Sequence, residues 1–209
     1  MIAVADVLDR LAILLVDEDF TRWTKPELLG WINDAVSEII IRRPAAGGKF
    51  MPVTLQAGVM QTLPDTVTMI FDVTRNLPSG KGIHIAERQR IHESEPDWFS
   101  LAGSSTIKHY CYDNRVPNAF YVYPPAIAGT IVEVSAAVIP DKVTSETGTI
   151  NMAELYLSPI VSYAMYRALM KDAEESNGQV SMVYFQAFNE ALGSNTQISV
   201  ANSAVGAKP

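Results

Sequence analysis

The spacing of apolar positions changes character twice along the chain. Residues 3–16, AVADVLDRLAILLV, place Val4, Val7, Leu8, Leu11, Leu14 and Leu15 at three-to-four spacing, which predicts an amphipathic helix. Asp6 and Asp9 lie near its N-terminal end, where the helix dipole favours negative charge. The acidic run DEDF then predicts a loop. A second helix is predicted in TRWTKPELLGWINDAVSEII. Thr24 and Glu27 stand as a capping box, Trp23 and Leu28 as a hydrophobic staple, and Pro26 in the first turn. Its apolar stripe is broad: one row holds Leu28, Ile32, Ala35 and Ile39, another Leu29, Val36 and Ile40, and Trp31 flanks them. Two rows exceed the single seam that a small bundle needs, so part of this face is expected to meet copies of the same chain. Arg42 and Arg43 close the helix, and Pro44 with Gly47-Gly48 stops it.

From 49 to 140 the helical period disappears. Short alternating runs, among them VTMIFDVT, IKHYCY, AFYVYPP and TIVEVSAAVI, are separated by turn formers such as LPDT, NLPSGKG and PAIAGT. They predict six to seven strands of antiparallel structure, with Ala119–Tyr123 and Thr130–Val138 as a hairpin. Residues 86–106 form a long connection through EPDW and AGSS, a length that often marks function or a neighbour's grip. The helical period returns at 151. Asn151 and Glu154 suggest a cap, and a largely apolar helix runs to about Ala173, with Pro159 either kinking it or marking its start behind Ser158. The loop EESNG leads to QVSMVYFQAFNEAL, with a stop expected at Gly193. The remaining SNTQISVANSAVGAKP is small and polar, an extended tail. The expected fold class is α+β: a helical bundle of N-terminal (1–48) and C-terminal (151–193) helices, an inserted antiparallel β domain (49–150), and a tail (194–209).

Composition narrows the function. The 209 residues are 48% hydrophobic and carry a net charge of −7, which supports a sizeable core and argues against a general nucleic-acid binder. An acidic wall suits DNA that slides past without being held. A single cysteine, Cys111, allows no internal disulfide and no cysteine metal cluster, and reads as a small apolar strand residue. No charged stretch followed by an apolar run opens the sequence, and no run of about 18 apolar residues occurs. The expectation is a chain made and folded in a reducing cytoplasm.

Catalytic chemistry finds little footing. His84, His92 and His109 lack metal-ligand spacing, no nucleophile elbow or phosphate loop is present, and GKG at 80–82 is a turn. Glu87, Glu93, Glu95 and Asp97 cluster in the long connection. They could serve a cell-wall hydrolase that pairs two carboxylates, but acids in a loop are ordinarily solvated surface. Tyr110, Tyr112, Phe120, Tyr121 and Tyr123 could form a glycan-binding face, although strand aromatics more often cover a core or an interface. No cofactor is expected.

Several segments taken in order say more. After RWTKPELLGWINDAV come QAGVMQTLPD, DVTRNL, PDWFS, IKHYCYDNRVPNAFYVYPP and YRALMKDAEESNGQVSMVYFQAFNEALG. Together they resemble the adaptor proteins of tailed bacteriophages, the head-to-tail connector subunits of short-tailed phages, over about residues 3–194. No single motif is diagnostic; the order and spacing carry the resemblance. It implies a ring, typically of twelve subunits, docked beneath the portal protein and receiving the tail nozzle or tube protein, with genome DNA passing through unbound. A tail nozzle or head-completion ring is the alternative within the same junction. Contact surfaces then matter more than any catalytic set. Trp23 and Trp31 are candidate anchors. Arg167, a charge in an apolar helix, needs a carboxylate, with Asp172 or a neighbouring subunit's acid as candidates. Trp98 of the long connection is a candidate nozzle contact. Gln197, Ile198, Val200 and Val205 of the tail are candidate portal contacts.

Overall fold

The computed structural model describes residues 1–113, 115–171 and 175–206, with backbone alone for 175–177 and 194–206. It is α+β and divides into two compact units, residues 1–46 with 140–209 and residues 47–139.

The first unit is helical. It comprises β1 (Ile2–Ala3), α1 (Val4–Leu15), α2 (Lys25–Arg42), β9 (Thr149–Ile150), α4 (Leu157–Lys171) and α5 (Glu175–Gly206). The helix α4 is central, with α1, α2 and α5 packed against it. Val7, Leu8, Leu11 and Leu15 of α1 are buried, as are Ile160, Val161, Ala164 and Ala168 of α4 and Phe188 and Leu192 of α5. The broad stripe of α2 is consumed inside the chain: Leu28, Leu29, Ile32, Ala35, Val36, Ile39 and Ile40 are all buried. A helix covered on more than one side needs more than one apolar row, so the stripe reports intrachain packing. Leu14, placed in the α1 stripe by its spacing, is instead 46% exposed.

Residues 140–150, expected with the β insertion, return to the helical unit. The two-residue strands β1 and β9 pair antiparallel through Ile2 and Ile150. The Asn33 side-chain amide clasps the backbone of Val143 on both sides, donating to its carbonyl and accepting from its N–H at 2.9 Å each. The helix α4 starts at Leu157, so Pro159 falls in its first turn, where its missing N–H costs nothing. Asn151 caps no helix; a short 3-10 turn, Glu154–Tyr156, precedes α4. The helix α5 runs through Gly193, and residues 194–206, expected as an extended tail, continue it. One glycine costs a helix only about 1 kcal/mol relative to alanine, and no proline interrupts residues 194–206.

The second unit is a two-sheet sandwich. It holds β2 (Gly48–Thr54), β3 (Gly58–Thr62), β4 (Val67–Leu77), β5 (His84–Ile85), α3 (Arg88–Ser94), β6 (His109–Tyr112), β7 (Ala119–Ala126) and β8 (Ile131–Val138). One sheet has the order β2-β8-β4 and the other β3-β7-β6-β5. The main core lies between them, built from Val132, Val134 and Ala136 of β8, Ile70 and Val73 of β4, and Phe120 and Val122 of β7.

Two expectations change here. Strands β7 and β8 are not a hairpin. β7 pairs with β3 and β6, while β8 pairs with β2 and β4. The turn between them passes through Gly129 at φ +88°, a left-handed conformation that glycine adopts without strain, and carries the chain from one sheet to the other. Both strands face the same core, so their period alone cannot tell pairing from stacking. The long connection after β5 also has a topological cause: β5 and β6 are parallel, and a parallel pair requires a crossover. That crossover contains α3 and a 3-10 turn at Trp98–Ser100.

Candidate interaction surfaces

The crossover covers the second face of the β3-β7-β6-β5 sheet and makes a satellite core. Alternation splits β6 and β7 between two environments. Tyr110, Phe120 and Val122 enter the main core, while Cys111, Tyr121 and Tyr123 face the crossover with Val59, Ile91 and Trp98. Burial on both faces explains why AFYVY is almost continuously apolar. Trp98 is fully buried. Its ring centroid lies 4.3 Å from Phe99, 6.4 Å from Tyr121 and 6.2 Å from Tyr123. Its indole Nε1 donates to His92 Nδ1 at 3.2 Å. Trp98 is therefore a core residue of this satellite layer; the exposed aromatic beside it is Phe99, at 50%.

Other residues of the layer border a cleft of about 1270 Å³ whose lining includes Ile91, Cys111, Tyr121, Tyr123 and three arginines. Arg115 pairs with Asp113 at 2.9 Å and Arg90 with Glu87 at 3.4 Å. Arg88 lies over the Tyr121 ring at 5.8 Å, a cation–π geometry. Arg115 holds the Asp113 carboxyl below its ordinary value through side-chain and backbone hydrogen bonds. Burial pushes the Cys111 thiol up, only partly offset by the charge of Arg88. The thiol form is poorly nucleophilic, so Cys111 serves as packing. Burial and a hydrogen bond to Asp72 raise the Tyr110 hydroxyl far above the usual range.

The acids that could suggest hydrolysis are surface groups. Glu87, Glu93 and Asp97 are exposed, Glu95 is half-buried, and Glu93 accepts from Gln89 at 3.1 Å. His84 and His109 sit opposite each other in the β5–β6 register with ring centroids 6.2 Å apart. Among the described residues no group of three potential metal ligands occurs, and no helix is long and apolar enough to cross a membrane.

In the helical unit, Trp23 is an internal anchor. It is 6% exposed, and its Nε1 donates to the Ala168 carbonyl of α4 at 3.1 Å. Trp31 is half-buried on α2. Arg167 finds its carboxylate within the chain: Nη1 lies 3.4 Å from Asp34 of α2 and 3.4 Å from the Tyr163 hydroxyl. A pair this exposed contributes about 0–1 kcal/mol. Asp172, the candidate partner from sequence, lies outside the described residues, as do the side chains of Gln197, Ile198, Val200 and Val205.

The loop after α1 was legible only as an acidic break. Val16 adopts φ 54° and Phe20 φ 53°, left-handed values that a β-branched or bulky residue rarely takes. Asp17 holds this backbone: its carboxylate accepts the N–H groups of Thr21, Arg22 and Trp23 at 2.9–3.0 Å. These bonds, led by the one from Trp23, keep its acid strength above that of an ordinary carboxyl. The sign follows from the lowered folded-state pKa. The contribution to stability is present above the ordinary carboxylate range and is lost as pH falls through the depressed value. Asp17→Ala is expected to lower the melting temperature at neutral pH, with the gap to wild type narrowing in acid. Calorimetry across pH checks this, and a gap that widens in acid would overturn it.

The family model for the SU10 adaptor protein matches residues 2–207. The chain belongs to this family. It is a phage adaptor protein, and membership implies a structural role rather than catalysis. A comparison with individually curated proteins finds no match. In this light the exposed apolar residues of the adaptor stand out. Ile13 and Val16 at the end of α1 are 70% and 90% exposed, Val180, Met182 and Val183 of α5 are 48–65% exposed, and Phe50 of β2 is 68% exposed. Sequence spacing nominated none of them, because a period identifies an apolar face without saying whether anything covers it.

Proposed function

We propose that this adaptor forms a ring at the head–tail junction of the virion, between the portal protein and the tail nozzle or tube protein, and leaves an open channel for the genome. The match to the adaptor family over nearly the whole chain carries this reading. Two further features support it. Exposed apolar residues lie on both α1 and α5, which are packed against α4 and not extensively against each other. Distinct surfaces of this kind suit the heterologous contacts that close rings. The net charge of −7 suits a conduit that does not hold phosphate. Trp31 is assigned to the neighbouring subunit's contact, Phe99 beside the buried Trp98 to the nozzle side, and the segment containing Gln197, Ile198, Val200 and Val205 to the portal.

The test is the mass of the purified protein alone and mixed with its cognate portal, by light scattering followed by negative-stain imaging. A ring of about a dozen copies stacked on the portal is the expected result. A protein that stays monomeric and ignores the portal would overturn the reading.

A further inference from the structure

Two features of the adaptor lack an ion-pair counterpart among the described residues. The first is the cleft of the β unit. Among the described residues no carboxylate lies within ion-pair distance of Arg88, whereas Arg90 and Arg115 beside it are paired. At about 1270 Å³ the cleft exceeds the roughly 300–1,000 Å³ of a small-molecule site, and its size suits a polypeptide turn. The second feature is the turn after α1. Val16, the left-handed C-cap of α1 at φ 54°, is 90% exposed. Glu18 and Asp19 follow it, both exposed, and among the described residues neither has an ion-pair partner.

We propose that the Val16–Asp19 turn of one copy seats in the Arg88 cleft of a second copy. The two surfaces are complementary in charge and in polarity. Val16 supplies an apolar anchor for the Tyr121 and Tyr123 wall. Glu18 or Asp19 supplies a carboxylate at ion-pair distance from Arg88, whose charge within the chain reaches Asp113 only from farther away. Turn and cleft are different surfaces, so each copy offers one and receives the other. The contact therefore propagates in one direction and closes when the rotation permits. This inference rests on the ring reading and adds the surfaces through which copies meet.

The experiment uses the full 209-residue chain with two charge reversals, Arg88→Glu in the cleft and Glu18→Lys with Asp19→Lys in the turn. All three positions are exposed, and circular dichroism checks that the variants fold. Sedimentation velocity over a concentration series reads self-association, and imaging on the portal reads ring formation. Each reversal alone is expected to weaken association by about tenfold or more, the scale of a close interfacial charge pair. Combining both in one chain restores it. Mixing the two single-surface variants also restores association, in alternating copies, because each acidic turn then meets an Arg88 cleft and each reversed turn a reversed cleft. Association and rings indifferent to both reversals would overturn the contact while leaving the ring reading intact. Wild-type protein that forms no ring on the portal would instead overturn the ring reading, and with it this inference.

Discussion

Trp98→Ala lowers the stability of the β unit by about 3–5 kcal/mol, the range for removing a large aromatic from a packed interior. Trp98 is fully buried between α3 and the outer face of β6 and β7, with Ile91, Cys111 and Val59 around it. No small rearrangement refills that space, because the sheet behind it is held from its other face by the main core. The indole also donates to His92, so truncation removes a hydrogen bond along with the packing. Urea unfolding monitored by circular dichroism reads the loss directly. Trp98→Phe, which keeps most of the ring area, costs less. A loss under about 1 kcal/mol for the alanine variant would mean that the satellite core is not packed as described.

Asn76→Ala is the second large effect, at about 2–4 kcal/mol. Asn76 of β4 is only 2% exposed. Its amide donates to the Ile107 carbonyl at 2.8 Å and to the Lys81 carbonyl at 3.0 Å, and its oxygen accepts the Ile107 N–H at 2.8 Å. Removing the side chain strands buried backbone groups, and each unmet group costs about 1–3 kcal/mol. The specific readout is amide hydrogen exchange at Ile107, whose protection is expected to fall by more than the global loss of stability explains. Unchanged exchange at that amide would show that another group takes over the bond. Asparagine is ordinarily a turn residue, and nothing in DVTRNL marks this one as a buried clamp.

Much of the fold was legible in the sequence, and the residues show why. A helix announces itself through its period and ends. Glu27 does accept the Thr24 N–H at 3.2 Å and the Thr24 hydroxyl at 3.0 Å, as the capping pattern required. Strands announce themselves through alternation, and seven strands lie between Gly48 and Val138. The two-residue strands β1 and β9 were invisible, because two residues carry no period. The Asn33 clasp on Val143 was invisible for a related reason: a side chain that satisfies a distant backbone leaves no local signature.

The candidate contacts divide along the same line. Sequence reading nominated large or charged residues, and burial reassigned several of them. Trp23 and Trp98 turned inward, and Arg167 found Asp34 across a separation of 133 residues. The features proposed to meet between copies, Val16 with its acidic turn and Arg88 over Tyr121, are ordinary residues in sequence. They became candidates only once folding showed what each lacked.

By itself, then, the sequence determined the element types, most of their order, the α+β class and, through the order of its segments, the adaptor family. These depend on local period, capping chemistry and composition, which one stretch of chain carries alone. Tertiary structure decided that β7 and β8 lie in opposite sheets, that the stripe of α2 is spent inside the chain, and that residues 85–123 enclose a cleft. Those outcomes depend on which distant group satisfies a given hydrogen bond or covers a given face, and an apolar residue has the same local spacing whether its cover comes from its own chain or from another.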